Sequence, residues 1–179
     1  MKMSEWTGWK GWVRDIGTAA LIGVLILIFL KPTIVQEHSM EGTLHENDYL
    51  FISRQAYNLF GEPEYGDIVV FHSNLTRSNG SEKLLIKRII GLAGDTISVH
   101  DGAVYRNGEA LDEPYTKDGT TLGEMEEITV PANSFFAMGD NRQNSVDSRS
   151  SAVGCIPVSA IMGKAVIRVF PFNKITIFK

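Results

Sequence analysis

The sequence predicts a mainly β domain behind one apolar N-terminal helix, and three features predict it. One long uncharged run covers residues 16–30; after residue 35 the apolar residues fall into short branched and aromatic runs between turn residues; no later run has the length and period of an amphipathic helix. A chain of 179 residues holds one compact domain plus an anchor. With a net charge of -4 and no basic stripe, no phosphate-binding surface is expected, and nucleic acid is excluded as a partner class. Cys155 is the single cysteine and no Cys/His cluster has ligand spacing, so neither a disulfide nor a metal is expected. No cofactor is expected either.

The first element is read from its flanks. Lys2, Lys10 and Arg14 precede the run, and Lys31 and Pro32 follow it. Trp12 and Val13 before, and residues 33–35 after, extend the usable length toward the roughly 20 residues that a bilayer requires. Trp6, Trp9 and Trp12 recur at helical spacing, and such rings favour the membrane interface. The bias of basic residues puts a short N-terminus (1–15) in the cytoplasm, an anchor over 16–35, and residues 36–179 outside. A cleavable secretory signal would end in an A-x-A-like pattern, and "KPTIVQEHS" has none. A helix buried in a soluble domain would carry a polar stripe, which this run lacks.

Beyond the run, strands are expected over 48–54, 66–72, 83–90, 95–100 and 103–111, then over 127–130, 134–138, 161–170 and 174–178. Asp101-Gly102 and Asn107-Gly108 are hairpin signals, so the pairing is expected to be antiparallel. Residues 112–127 carry six acids and one lysine, which reads as a solvated loop within a loop-rich insertion around 101–130.

Ser39 stands in "EHSMEGTL", just beyond the apolar run. A serine hydroxyl needs a base to act as a nucleophile, either a His held by an acid or a desolvated Lys. His38 adjoins Ser39 and points the other way along an extended chain. His45, His72 and His100 lie in polar or strand-end contexts without an acid at motif spacing; because triad order varies between folds, a Ser-His-Asp arrangement stays open. In "LLIKRII", Lys87 and Arg88 face opposite sides of a strand, so one is free to be solvated while the other shares a face with Leu85 and Ile89. On that apolar face Lys87 would lose proton affinity and become a base near neutral pH; at a strand edge it would merely snorkel. Residues 139–150 concentrate hydrogen-bonding groups, either as a surface loop or as a buried network whose members must all be paired. Asp147 and Arg149 share a face if that segment is extended, which suits a structural ion pair.

Four segments, "SMEGTL" (39–44), "YGDIVVF" (65–71), "IKRIIGLAGD" (86–95) and "GDNRQNSVDSR" (139–149), together with "EPY" (113–115) and "MGKAVIRVFPFNKI" (162–175), resemble in order and context the bacterial type I signal peptidases, in their short Gram-positive-like form. The resemblance implies an extracytoplasmic antiparallel β-sheet catalytic domain on a single-pass anchor in the bacterial cell membrane. It implies that Ser39 attacks the scissile carbonyl of an exported preprotein and that Lys87 acts unprotonated as general base, then protonates the leaving amine. Ser145 would orient the lysine, with Asp147 and Arg149 as the ion pair beside it. The backbone N–H of Ser39 would serve as an oxyanion donor, a role whose loss costs about a hundredfold or more. Family substrates carry small residues at the first and third positions before the cut, and Val35, Met40, Leu44 and Ile86 are expected to wall the pockets that take them. Implied partners are preproteins with signal peptides, membrane lipid and nearby secretion machinery.

The chain departs from the family pattern at three positions. Gly42 replaces a usual proline, Glu37 stands where some relatives have a serine that donates to the oxyanion, and Ala93 replaces a common proline. An ionised carboxylate cannot donate a hydrogen bond. Two other readings follow from these residues. One is a self-cleaving repressor-type Ser-Lys protease, which the N-terminal apolar run argues against; the other is a catalytically weak or inactive relative that binds substrates in surface-structure assembly.

Overall fold

Leu30 is where the chain turns from helix to strand. The computed structural model describes residues 9–59, 61–77 and 80–178, without the side chains of 10, 25–28, 58 and 59. Lys2 and Trp6, used above to orient the N-terminus, lie outside the described residues. The apolar run forms α1 (Trp9–Phe29), but the helix stops at Phe29 and β1 (Leu30–Ile34) begins at once. β1 pairs antiparallel with β2 (Tyr49–Ser53), Leu30 facing Ser53 and Ile34 facing Tyr49. Pro32 is tolerated because β1 is the outermost strand and needs donors on one side only.

The expected anchor bounds of 16–35 are therefore corrected: residues 30–34 extend the sheet, and the Val35 amide donates to the Asp48 carbonyl at 3.0 Å. Among the described residues, no helix is long and apolar enough to cross a membrane. The expected span leans on residues 25–28, whose side chains lie outside the described ones. Within α1, Trp9, Trp12, Val13, Ile16, Leu21 and Val24 are all exposed.

The chain continues through α2 (Ala56–Leu59), β3 (Ile68–Thr76), β4 (Glu82–Leu92), β5 (Thr96–His100), β6 (Ala103–Arg106), β7 (Glu109–Ala110), β8 (Met125–Thr129), β9 (Ser134–Met138), β10 (Ile156–Pro157), β11 (Ile161–Phe170) and β12 (Thr176–Ile177). The larger sheet has the order β1-β2-β11-β3-β4-β9-β10, with β12 added to β11; the smaller has the order β7-β6-β5-β8. All the pairings are antiparallel, as the hairpin signals predict. β3 and β4 run through the middle of the larger sheet. Ile68, Val69, Val70 and Phe71 are all buried, so both faces of β3 are covered.

Within residues 101–130 lie strands β6, β7 and β8, two tight turns and an irregular stretch over 111–124. At the first turn Asp101 and Gly102 both have positive φ, 52° and 76°, and at the second Asn107 and Gly108 do, 55° and 80°. Such paired left-handed residues match the twist of a two-residue hairpin. The core forms three clusters. Met40, Leu44, Leu50, Ile52 and Val70 fill one; Val69, Phe71, Leu85, Ile89 and Phe135 fill the second; Ile97, Val99, Phe136 and Met138 join the two sheets in the third.

Candidate active site

Ser39 sits in a single 3-10 turn, His38–Met40, that follows β1 and is pinned by the wholly buried side chains of Met40 and Leu44. Lys87 lies in mid-β4 opposite Val69 of β3, with no exposed surface. The turn and the strand bring Lys87 Nζ to 2.5 Å from Ser39 Oγ. Burial pushes the Lys87 pKa down to about 8, against the opposing pull of the Asp147, Glu37 and Asp140 carboxylates, while Lys83 adds to the lowering. Desolvation disfavours the ammonium, so a neutral amine is accessible near physiological pH.

Arg88 is not solvated, contrary to the choice the strand alternation suggested. It is also buried, because β4 is covered on both faces. Its guanidinium makes two bonds to Asp140, Nε to Oδ1 at 2.9 Å and Nη2 to Oδ2 at 2.7 Å, and lies 4.0 Å from the centre of the Tyr115 ring. Arg88 also donates to Thr43 Oγ1 at 3.0 Å and to the Gly66 carbonyl at 2.9 Å, which ties the segment after the Ser39 turn to β4.

The 139–150 segment is a buried network rather than a surface loop. Asp147 is fully paired: it accepts from Arg149 Nε at 2.9 Å, Arg149 Nη2 at 2.9 Å, the Gly139 amide at 3.0 Å and Ser145 Oγ at 2.7 Å. Burial alone would raise its carboxyl pKa, but Arg149 and these donors hold it below the ordinary carboxylate range. The Ser145 hydroxyl is thus spent on Asp147, and among the described residues no hydrogen bond joins it to Lys87. Gly139 allows the close approach here, since a Cβ would collide with Ser145 Oγ and the Ser39 carbonyl. The Asn141 amide donates to that same carbonyl at 3.0 Å, holding the Ser39 turn in place.

Arg142 and Glu113 were not singled out from the sequence as partners, nor were Arg88 and Asp140. Arg142 makes a double bond set to Glu113, at 2.5 and 2.6 Å, and donates to Thr121 at 2.6 Å. These bonds fasten the acidic segment to the site at Glu113 and Thr121, while most of residues 112–124 form an exposed loop, as their composition suggests. The signal was present in "EPY" and "GDNR", but the partners are 29 and 52 positions apart and spacing could not join them.

Among the described residues no hydrogen bond joins a histidine to Ser39 Oγ, whose side-chain partner is Lys87. His38 bonds to Glu41 at 2.7 Å, His72 to Glu82 at 2.8 Å, and His100 to Asp101 at 3.1 Å while stacking on Tyr105. His45 is exposed, and its backbone amide serves Asp48.

A groove of about 440 Å³ runs between the 31–37 segment and the first half of β4, with Val35 and Ile86 in its lining. A second cavity of about 460 Å³ opens over Ser39 and Ser145. Met40 and Leu44 are wholly buried in the same apolar cluster as Val35, so they underlie the groove. Glu37 Oε1 stands 2.5 Å from Lys83 Nζ, between these two spaces.

Gly42 is a fitted position. Its φ is +114°, and an added Cβ would come 2.6 Å from the Tyr115 carbonyl oxygen. Proline, fixed near φ of about -65°, cannot adopt that backbone. Gly42→Pro, which restores the usual family residue, is therefore expected to lower stability by more than about 1 kcal/mol and to reduce cleavage. Thermal unfolding and a turnover assay check it; a stable, more active variant would remove the fitted role.

The sequence matches, over residues 9–170, the model of the family described as Signal peptidase, peptidase S26. A signal peptidase I from Bacillus licheniformis is 37% identical over 176 residues, covering 92% of this chain and 90% of its own length. Signal peptidase I T from Bacillus subtilis (strain 168) is 36% identical over 173 residues, covering 91% of this chain and 86% of its own. A crystal structure of a signal peptidase I from Enterococcus faecalis is 28% identical, covers 57% of this chain and 96% of that chain, and has a TM-score of 0.47.

Proposed function

This chain belongs to the signal peptidase family, peptidase S26, and is a serine endopeptidase; from that premise we propose that Ser39 and Lys87 are the dyad with which it removes signal peptides from exported preproteins. The observation that carries the reading is the contact of a wholly buried lysine with a serine hydroxyl at 2.5 Å. As Ser39 Oγ bonds to the scissile carbonyl carbon, its proton passes to neutral Lys87 Nζ. The Ser39 amide stabilises the oxyanion. The resulting Lys87 ammonium then protonates the leaving amine as the peptide bond breaks, leaving an acyl-enzyme on Ser39. Water attacks the ester, Lys87 takes its proton, and that proton returns to Ser39 Oγ as the acid product departs. Ser145 acts as a positioning residue through Asp147 and Arg149, which hold the wall facing Lys87.

Cleavage after small residues of the Ala-x-Ala type is supported by the partly apolar groove that adjoins the cavity over Ser39, with Val35 and Ile86 in its lining. Attachment to the bacterial cell membrane by a single pass, with a cytoplasmic N-terminus and an extracytoplasmic catalytic domain, is supported by the uncharged run 16–30 and by the exposed apolar residues along α1. Such a position restricts the search for precursors to the layer where secretion machinery delivers them.

The test is cleavage of an Ala-x-Ala precursor by purified protein in detergent, with Ser39→Ala as control. Loss of turnover in Ser39→Ala supports the reading, and equal turnover sinks it. The pH profile is a second expected outcome. Because Lys87 must be neutral and its pKa is about 8, kcat/KM should rise about tenfold per unit up to that pH and level off above it. A limb centred near pH 6.5 would instead indicate a histidine base.

A further inference from the structure

Glu37 and Lys83 are, with Gln36, the residues that line both the groove and the cavity over Ser39. One comes from the segment after β1 and the other from β4, so their ion pair spans the two walls where groove meets nucleophile. Their side chains are 41% and 31% exposed, which sets the pair at the opening rather than on the floor. Along residues 84–86, β4 pairs with β3 on one side, while β9 joins it only from Arg88 onward. That leaves one strand edge facing the groove among the described residues, a template for an extended peptide.

In an extended peptide, alternate side chains face opposite sides. If the first and third residues before the cut enter the apolar lining of Val35 and Ile86, the residue between them faces the opening. There it meets Glu37 and Lys83. We propose that this ion pair is a specificity-determining element that reads the charge of the substrate's middle residue. The proposal rests on the peptidase reading above. While the pair is intact, an acidic middle residue finds Lys83 and a basic one finds Glu37, so both signs are accepted. Glu37 thereby serves binding at a position where some relatives are expected to carry an oxyanion donor.

Both residues also act on Lys87 through space, Glu37 favouring its ammonium and Lys83 opposing it. A variant's preference is therefore taken as a ratio between substrates, which cancels any change in the base. The experiment compares precursors with Glu, Lys or Gln between the two alanines, measured as kcat/KM relative to Gln. Wild type is expected to cleave the Glu and Lys precursors within about twofold of each other. Glu37→Gln should favour Glu over Lys by about three- to fivefold, and Lys83→Met should favour Lys over Glu by a similar factor, the range of an exposed ion pair. The double exchange Glu37→Lys with Lys83→Glu should restore tolerance of both signs. Unchanged ratios in both single variants overturn the proposal while leaving the peptidase reading intact. A wild-type protein that cleaves none of the precursors overturns both.

Discussion

Lys87→Ala is expected to lower kcat/KM by at least about a thousandfold while the protein stays folded. Among the described residues Lys87 is the titratable side chain bonded to the Ser39 hydroxyl, no histidine bonds to it, and Asp147 is occupied by Arg149, Ser145 and the Gly139 amide. Lys87→Met separates catalysis from stability. In the folded protein the Lys87 pKa lies near 8, below its ordinary value of 10.5, so between those values the unfolded chain binds more protons and stability rises with pH. Below pH 8 the fold bears the full cost of burying an ammonium. Methionine removes that cost at nearly the same volume, so Lys87→Met should be inactive yet more stable at pH 7, by about 1–3 kcal/mol. Turnover and denaturant unfolding at pH 7 check both parts. A folded Lys87→Ala with substantial activity ends the dyad assignment, and a destabilised Lys87→Met ends the account of its burial.

Asp140→Ala is expected to cost about 3–5 kcal/mol of stability, the largest loss among the predicted substitutions. Asp140 has no side-chain exposure and is the acid to which Arg88 makes both of its carboxylate bonds. Removing it strands a guanidinium beneath Tyr115, between the nucleophile turn and β4. The backbone bond from Lys117 to the Asp140 carbonyl is unaffected, so the loss is electrostatic rather than a loss of the loop's tether. Arg88→Met in the same chain should recover a large part of the loss. Urea unfolding of the single and double variants measures it; a double variant no more stable than Asp140→Ala would show that Arg88 is not the source.

Local chemistry was legible where the signal was local. Asp101-Gly102 and Asn107-Gly108 stand in tight turns with positive φ, and the branched runs became the strands of both sheets. β1 was hidden because Lys31 and Pro32 interrupt the apolar pattern right after Leu30, and because its partner, β2, lies further along the chain. Lys87 and Arg88 were ambiguous for a different reason. Alternation sorts residues between core and water, but β4 has core on both sides, and both cations needed buried partners. The proposed pairing of Ser39 with Lys87 was legible only through motif resemblance; composition could not have joined residues 39 and 87. Gly42, a departure from the family pattern in the sequence, is explained by the Tyr115 carbonyl that an added Cβ would meet.

The passage from α1 into β1 has no spacer. The Phe29 carbonyl, at the end of the helix, accepts the Arg54 amide at 3.2 Å, and the strand starts at the next residue. Helix and sheet thus form a stalk without a joint. At about 3.3 Å per residue, β1 is a ruler of roughly 17 Å, and the reach of Ser39 from whatever surface grips α1 is set by its length. On the membrane attachment proposed above, the height of Ser39 over the bilayer follows in part from the number of residues in one edge strand.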